Sequence, residues 1–84
     1  MDFNQNKPIY LQIADSICEK ILSGEYLPDE RILSVRELGV SLGVNPNTIA
    51  RVYEHLQGME IIYNKRGIGY FVSPSAPERI LEQQ

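Results

Sequence analysis

Isoleucines stand at positions 9, 13, 17 and 21, with Tyr10, Ala14 and Leu22 beside them. That spacing marks one apolar face of a helix about four turns long. Pro8 suits its first turn and Gly24 its C-cap, and Gln12, Asp15, Ser16, Glu19 and Lys20 lie opposite. Tyr26 to Leu33 reads as a turn leading into a short extended segment. The pattern then restarts twice in quick succession. Ser34 with Glu37 three residues on forms a capping box, Leu38 and Leu42 share a face, and Gly43 ends the helix. Asn45 as N-cap and Pro46 at the first helical position open the next helix. Ile49, Val52, Tyr53 and Leu56 make its inward stripe, and Gly58 closes it. A joint this short forces a steep crossing, the helix-turn-helix.

Beyond Gly58 the pattern changes to β-prone runs, Ile61-Ile62-Tyr63 and Tyr70-Phe71-Val72, separated by Asn64-Lys65-Arg66-Gly67-Ile68-Gly69. This is a two-stranded hairpin that must pack its apolar face on the helices. Ser75-Ala76-Pro77-Glu78 is a second capping box, and Arg79, Ile80 and Leu81 begin a helix with little to pack against. The predicted fold is mainly α with a small β-hairpin: a winged helix-turn-helix of three core helices, a wing and the start of a C-terminal helix. Residues 1–7 are a frayed lead, 8–74 the domain and 75–84 the C-terminal segment.

The candidate chemistry lies on two surfaces. Asn47 and Arg51 are one turn apart with Thr48 beside them, near a helix N-terminus that favours phosphate. Asn and Arg also match the paired groups of adenine and guanine in a major groove. At the hairpin, Lys65 and Arg66 can neutralise phosphates or enter a minor groove, and Gly67 lets the backbone come close. Each of these residues alone fits an ordinary solvated surface. Together with the turn geometry they point to double-stranded DNA.

The net charge of −3 argues at first against that partner. Its distribution reverses the argument. Up to residue 30, Lys7 and Lys20 stand against six carboxylates, a balance of −4. From 31 to 70, five basic residues stand against Glu37, Glu54 and Glu60, a balance of +2. Positive charge therefore collects in the half with the helix-turn-helix and hairpin. No stretch approaches the roughly 20 apolar residues of a membrane span. The lone Cys18 and lone His55 fit no metal spacing, and Cys18 suits packing in a reducing cytoplasm. No catalytic constellation, nucleotide fingerprint or cofactor site emerges, so an enzyme is not expected. Arg66-Gly67-Ile68-Gly69-Tyr70-Phe71 has an RNA-stacking flavour, but Ile68 occupies the aromatic position and the chain opens with a helix.

With these blocks in place, the chain resembles the N-terminal winged-helix domain of the GntR family of bacterial transcription regulators. The resemblance runs from Pro8-Ile9-Tyr10-Leu11-Gln12-Ile13-Ala14 through Ile21-Leu22-Ser23-Gly24-Glu25-Tyr26 and Ser34-Val35-Arg36-Glu37-Leu38. It continues through Leu42-Gly43-Val44-Asn45-Pro46-Asn47-Thr48-Ile49 to Arg66-Gly67-Ile68-Gly69-Tyr70-Phe71-Val72. The Asn-Pro-Asn-Thr segment is similar to the short YtrA-like branch. The resemblance implies a DNA contact for Arg36 and a DNA-facing set of Ser34, Arg36, Asn45, Asn47, Thr48, Arg51, Lys65, Arg66 and Gly67. It also implies a homodimer on a palindromic operator, formed through a segment after residue 75, with repression by promoter occlusion and release by a signal such as a small-molecule effector. Either the chain is then a fragment, the favoured expectation, or dimerisation uses only the short segment 75–84. The rival expectation is a winged helix that binds protein rather than DNA.

The chain also departs from the family. Asp29 stands where Gly is usual, a mild change, and Leu33 stands where Pro is usual, which should loosen the approach to the second helix. Many members have Arg where this chain has Pro46 and Ala50. The strongest guanine readers are thus missing, and an operator richer in A·T is expected.

Overall fold

The computed structural model describes residues 7–83. Its elements are α1 (Ile9–Leu22), α2 (Val35–Leu42), α3 (Pro46–Gly58), β1 (Ile62–Lys65), β2 (Gly69–Val72) and α4 (Ala76–Glu82). The frayed lead lies outside the described residues except for Lys7, which is held. Its ammonium pairs with Asp15, and its carbonyl accepts from the Gln12 side chain at 2.8 Å.

The core is built from the predicted stripes. Ile13, Ala14, Ile17 and Ile21 of α1 meet Leu38 of α2, Ile49, Val52, Tyr53 and Leu56 of α3, and Ile61, Ile62 and Val72 of the wing. Each large aliphatic side chain buried this way contributes about 1.5–3 kcal/mol. Three members of the predicted stripes stay outside: Ile9, Leu22 and Leu42, each at the end of its helix, are exposed.

The capping box of α2 forms as predicted. The Ser34 hydroxyl accepts the Glu37 amide and the Glu37 carboxylate accepts the Ser34 amide, both at 3.0 Å. Gly43 takes the left-handed conformation (φ 67°) that ends α2. Asn45 caps α3 by accepting the Asn47 amide at 2.8 Å. Gly58 is the last residue of α3, as predicted, and the left-handed residue follows at Glu60, φ 60°.

The wing is longer than predicted. Register pairs run from Ile62–Val72 to Lys65–Gly69, leaving only residues 66–68 as the tip. It also gains a neighbour: Arg31 bridges Phe71, and Asp29, Glu30 and Ile32 exchange backbone hydrogen bonds with Val72 and Tyr70 at 2.7–2.9 Å. The Tyr53 ring meets Tyr70 edge-on at 4.8 Å, and its hydroxyl donates to the Leu33 carbonyl at 2.5 Å. That bond fixes the approach to α2 that the missing proline was expected to loosen.

The C-terminal segment also differs from expectation. Ser75 makes no side-chain cap, so the second capping box is absent. The short helix is nevertheless well seated: Ala76 and Ile80 are buried in the common core, and Arg79 pairs with Glu60 at 3.1 Å.

Candidate nucleic-acid interface

The site residues fall into three groups by element. Ser34 and Arg36 stand at the start of α2, Asn45, Asn47, Thr48 and Arg51 on the first turns of α3, and Lys65, Arg66 and Gly67 at the end of the wing. All are exposed except Ser34 and Thr48, which are half-buried. Burial of Ile49, Val52, Tyr53 and Leu56 fixes which side of α3 faces out, so the exposed set follows from the core.

On that outer side α3 is flanked by the first turn of α1. An open cleft of about 630 Å³ is lined by Tyr10, Asn47, Ala50, Arg51, Glu54 and His55. A neighbouring hollow brings Pro8 and Ile9 alongside Asn47, Thr48 and Arg51. The structure therefore gathers Asn47, Thr48 and Arg51 as predicted and adds Tyr10, whose ring lies 4.2 Å from the Arg51 guanidinium carbon. His55 is half-buried against the same ring at 5.9 Å.

The wing groups its charges differently from the sequence reading. Lys65 is not at the flexible tip but paired with Gly69 in the ladder, with its ammonium 4.8 Å above the Phe71 ring. Phe71 stacks on Tyr63 at 5.6 Å, and the Tyr63 hydroxyl donates to Asp29 at 2.9 Å. Arg66 and Gly67 form the turn itself, where Gly67 has φ 80° and the Ile68 amide returns to the Lys65 carbonyl at 2.9 Å.

Arg31 joins this surface unannounced. A Cβ built on Gly69 would stand 2.9 Å from the Arg31 Nε, so the missing side chain makes room for the guanidinium. No local motif marked it, because its bridge partner, Phe71, is 40 positions away. Alternation would have helped only with the register already known.

Glu37 is the one site neighbour with a displaced carboxyl pKa. The Ser34 amide, then the Ser34 hydroxyl, and more weakly the charge of Arg31 hold it below the usual carboxylate range. It therefore stays ionised beside Arg36, and its charge is spent on the helix start. Among the described residues no group of His, Cys, Asp and Glu could hold a metal, and no helix is long and apolar enough to cross a membrane.

Three core helices, a steep turn and a wing with basic residues at its end define a winged helix-turn-helix domain. The sequence profile of "Bacterial regulatory proteins, gntR family" matches residues 9–72, and the chain belongs to that family. It is 43% identical over 74 residues to YhcF of Bacillus subtilis, an HTH-type transcriptional regulator, covering 88% of this chain and 61% of that protein. It is 35% identical over 82 residues to the repressor YtrA of the same organism, covering 98% and 63%. Among solved structures, a GntR family regulator from Listeria monocytogenes superposes with a TM-score of 0.86 at 41% identity, over 96% of this chain and 73% of that one. The DNA-binding domain of AraR in complex with operator ORR3 gives 0.74 at 33%, over 79% and 80%. The relatives are transcriptional regulators, a family without enzymatic activity. The chain spans little more than three fifths of the length of YhcF and YtrA.

Proposed function

We propose that this chain is the DNA-binding part of a cytoplasmic transcription repressor. In this reading α3 lies in a major groove, with Asn47, Thr48 and Arg51 toward base edges. Ser34, Arg36 and Asn45 flank it on the phosphates, and Lys65, Arg66 and Gly67 follow the backbone into the adjacent minor groove. The observation that carries the reading is the shared outer surface of Asn47, Thr48 and Arg51 on a helix whose opposite side is fully committed to the core. The AraR–operator complex supports it by likeness of fold and sequence.

The whole protein is read as a homodimer on a palindromic operator, joined through residues from 75 onward and released by an effector that changes the spacing of the two domains. Two linked domains on one operator gain affinity through effective concentration. Pro46 and Ala50, both exposed on α3, supply apolar surface for thymine methyls, which favours an A·T-rich half-site.

Fluorescence anisotropy with random duplex at low salt, followed by selection from a random pool, tests this. Binding that weakens steeply with salt, and A·T-rich selected half-sites, are the expected results. No binding to any duplex would leave the protein-binding winged helix as the better reading, and G-rich half-sites would overturn the A·T preference.

A further inference from the structure

Arg51 does not project freely from α3. Its guanidinium carbon sits 4.2 Å from the centroid of the Tyr10 ring, well inside cation–π range. Tyr10 belongs to the first turn of α1, and His55 meets the same ring edge-on at 5.9 Å with an interplanar angle of 85°. Arg51 and His55 are one helical turn apart, so two successive outward positions of α3 hold the ring and are held by it. Tyr10 is half-buried and packs against the core, which gives it a fixed place from which to act.

Attraction to a ring face uses the charge of a guanidinium and leaves its N–H donors for a carboxylate or a base edge. Among the described residues no carboxylate lies within ion-pair distance of Arg51. Its donors are thus unspent while its orientation is restrained. A long side chain restrained before binding loses less freedom when it binds.

We propose that Tyr10 is the positioning residue for Arg51: its ring aims the guanidinium, so that base discrimination by α3 depends on a residue of α1. The inference rests on the reading of Arg51 as a base reader given above. Tyr10 acts through Arg51, not by its own contact with a base.

The test compares the unaltered chain with Tyr10→Phe, Tyr10→Leu, Arg51→Lys, Arg51→Ala and the Tyr10→Leu/Arg51→Ala double variant. The first readout needs no DNA. In NMR spectra the Arg51 side-chain protons should show a ring-current upfield shift that survives Tyr10→Phe and disappears in Tyr10→Leu. The second is the affinity ratio between the selected duplex and its single-base mismatches. Tyr10→Leu should lower that ratio about three- to fivefold at the base pair where Arg51→Ala also lowers it. The salt slope should not change, and the double variant should discriminate no worse than Arg51→Ala alone. Arg51→Lys, which keeps the charge but not the planar donor fork, should lose discrimination as well; if Tyr10→Leu does not fold, the ring-current shift in the unaltered chain and in Tyr10→Phe decides whether the ring holds the guanidinium. An absent ring-current shift in the unaltered chain overturns the proposal. So does full discrimination in Tyr10→Leu or in Arg51→Lys, or a Tyr10→Leu that weakens all duplexes equally with a shallower salt slope. If Arg51→Ala loses discrimination and Tyr10→Leu does not, the reading of Arg51 stands and only the positioning role falls. If Arg51→Ala loses none, both fall.

Discussion

The Gly39 carbonyl accepts the Val44 amide at 2.9 Å, and a Cβ on Gly39 would stand 2.9 Å from the Val44 carbonyl oxygen. The helix-turn-helix is closed by two strands of backbone that leave no room for a methyl group. Gly39→Ala should therefore destabilise the domain, by about 1–3 kcal/mol, because the obstructing atom is main chain and cannot rotate away. Urea unfolding checks this. An unchanged midpoint would mean that the turn relaxes by several tenths of an ångström without cost.

Asp29 is held at φ 63° while its carboxylate accepts the Tyr63 hydroxyl. The two features predict an order among variants. Asp29→Ala keeps the left-handed strain and loses the acceptor, so it should be the least stable, by about 1–2 kcal/mol. Asp29→Gly relieves the strain and should lose less. Asp29 raises the Tyr63 pKa through that hydrogen bond. Absorbance titration should accordingly show one tyrosine ionising at lower pH once Asp29 is replaced. An alanine variant as stable as the glycine variant would contradict the strain argument.

The capping box should titrate. Glu37 has a folded-state pKa below its ordinary value, so the stability it adds is present above the unfolded pKa and is lost as pH falls through the folded one. Glu37→Gln keeps an acceptor for the Ser34 amide but not the charge. It should be less stable than the parent at pH 7, with the gap closing in the acid range below about pH 4. Thermal melts across that range provide the check, and a gap that stays constant to pH 3 would count against a charge-assisted cap.

Two kinds of DNA contact should separate by mutation. Arg51→Ala should cost about 1–3 kcal/mol on the preferred site and flatten discrimination there. Lys65→Ala should weaken every duplex similarly and make the salt slope shallower by about one unit. Equal losses on all sequences for Arg51→Ala would make it a backbone contact and leave specificity to Asn47, Thr48 or DNA shape.

Cys18 should be sluggish. Burial first, then the charges of Asp15 and Glu19, push its thiol up to about 11. Since the folded pKa is raised, the contribution to stability is full below the unfolded value near 9 and is lost as pH rises toward 11. Iodoacetamide at pH 8 should label the folded chain much more slowly than the chain in urea. Comparable rates would show that the α1 surface around Cys18 opens readily.

The parts of the fold that announce themselves in the sequence are those with local causes. Ser34 and Glu37, Gly43, Asn45 and Pro46 act within a few residues of themselves, and each does what its chemistry predicts. What escaped is made by partners far apart. The Arg31–Phe71 bridge is a single pair, too short to leave a period, and the Gly39–Val44 approach leaves only an unremarkable glycine inside a helix. Ser75 and Glu78 carried the right residue types for a box, yet burial of Ala76 and Ile80 set the start of α4 instead. At the interface, the outer side of α3 followed from its inner stripe. The presence of Tyr10 on that side did not, because it depends on how α1 crosses α3.

The hydrogen bonds that join Asp29, Glu30 and Ile32 to Tyr70 and Val72 determine where this domain can change length. One residue inserted before Arg31 would shift the bridge to Phe71 by one step and turn the arginine to the opposite face of the sheet. One residue inserted at 66–68 disturbs no rung below the tip. Growth is therefore confined to the tip, whose reach can lengthen or shorten while the base of the wing keeps its distance from α3.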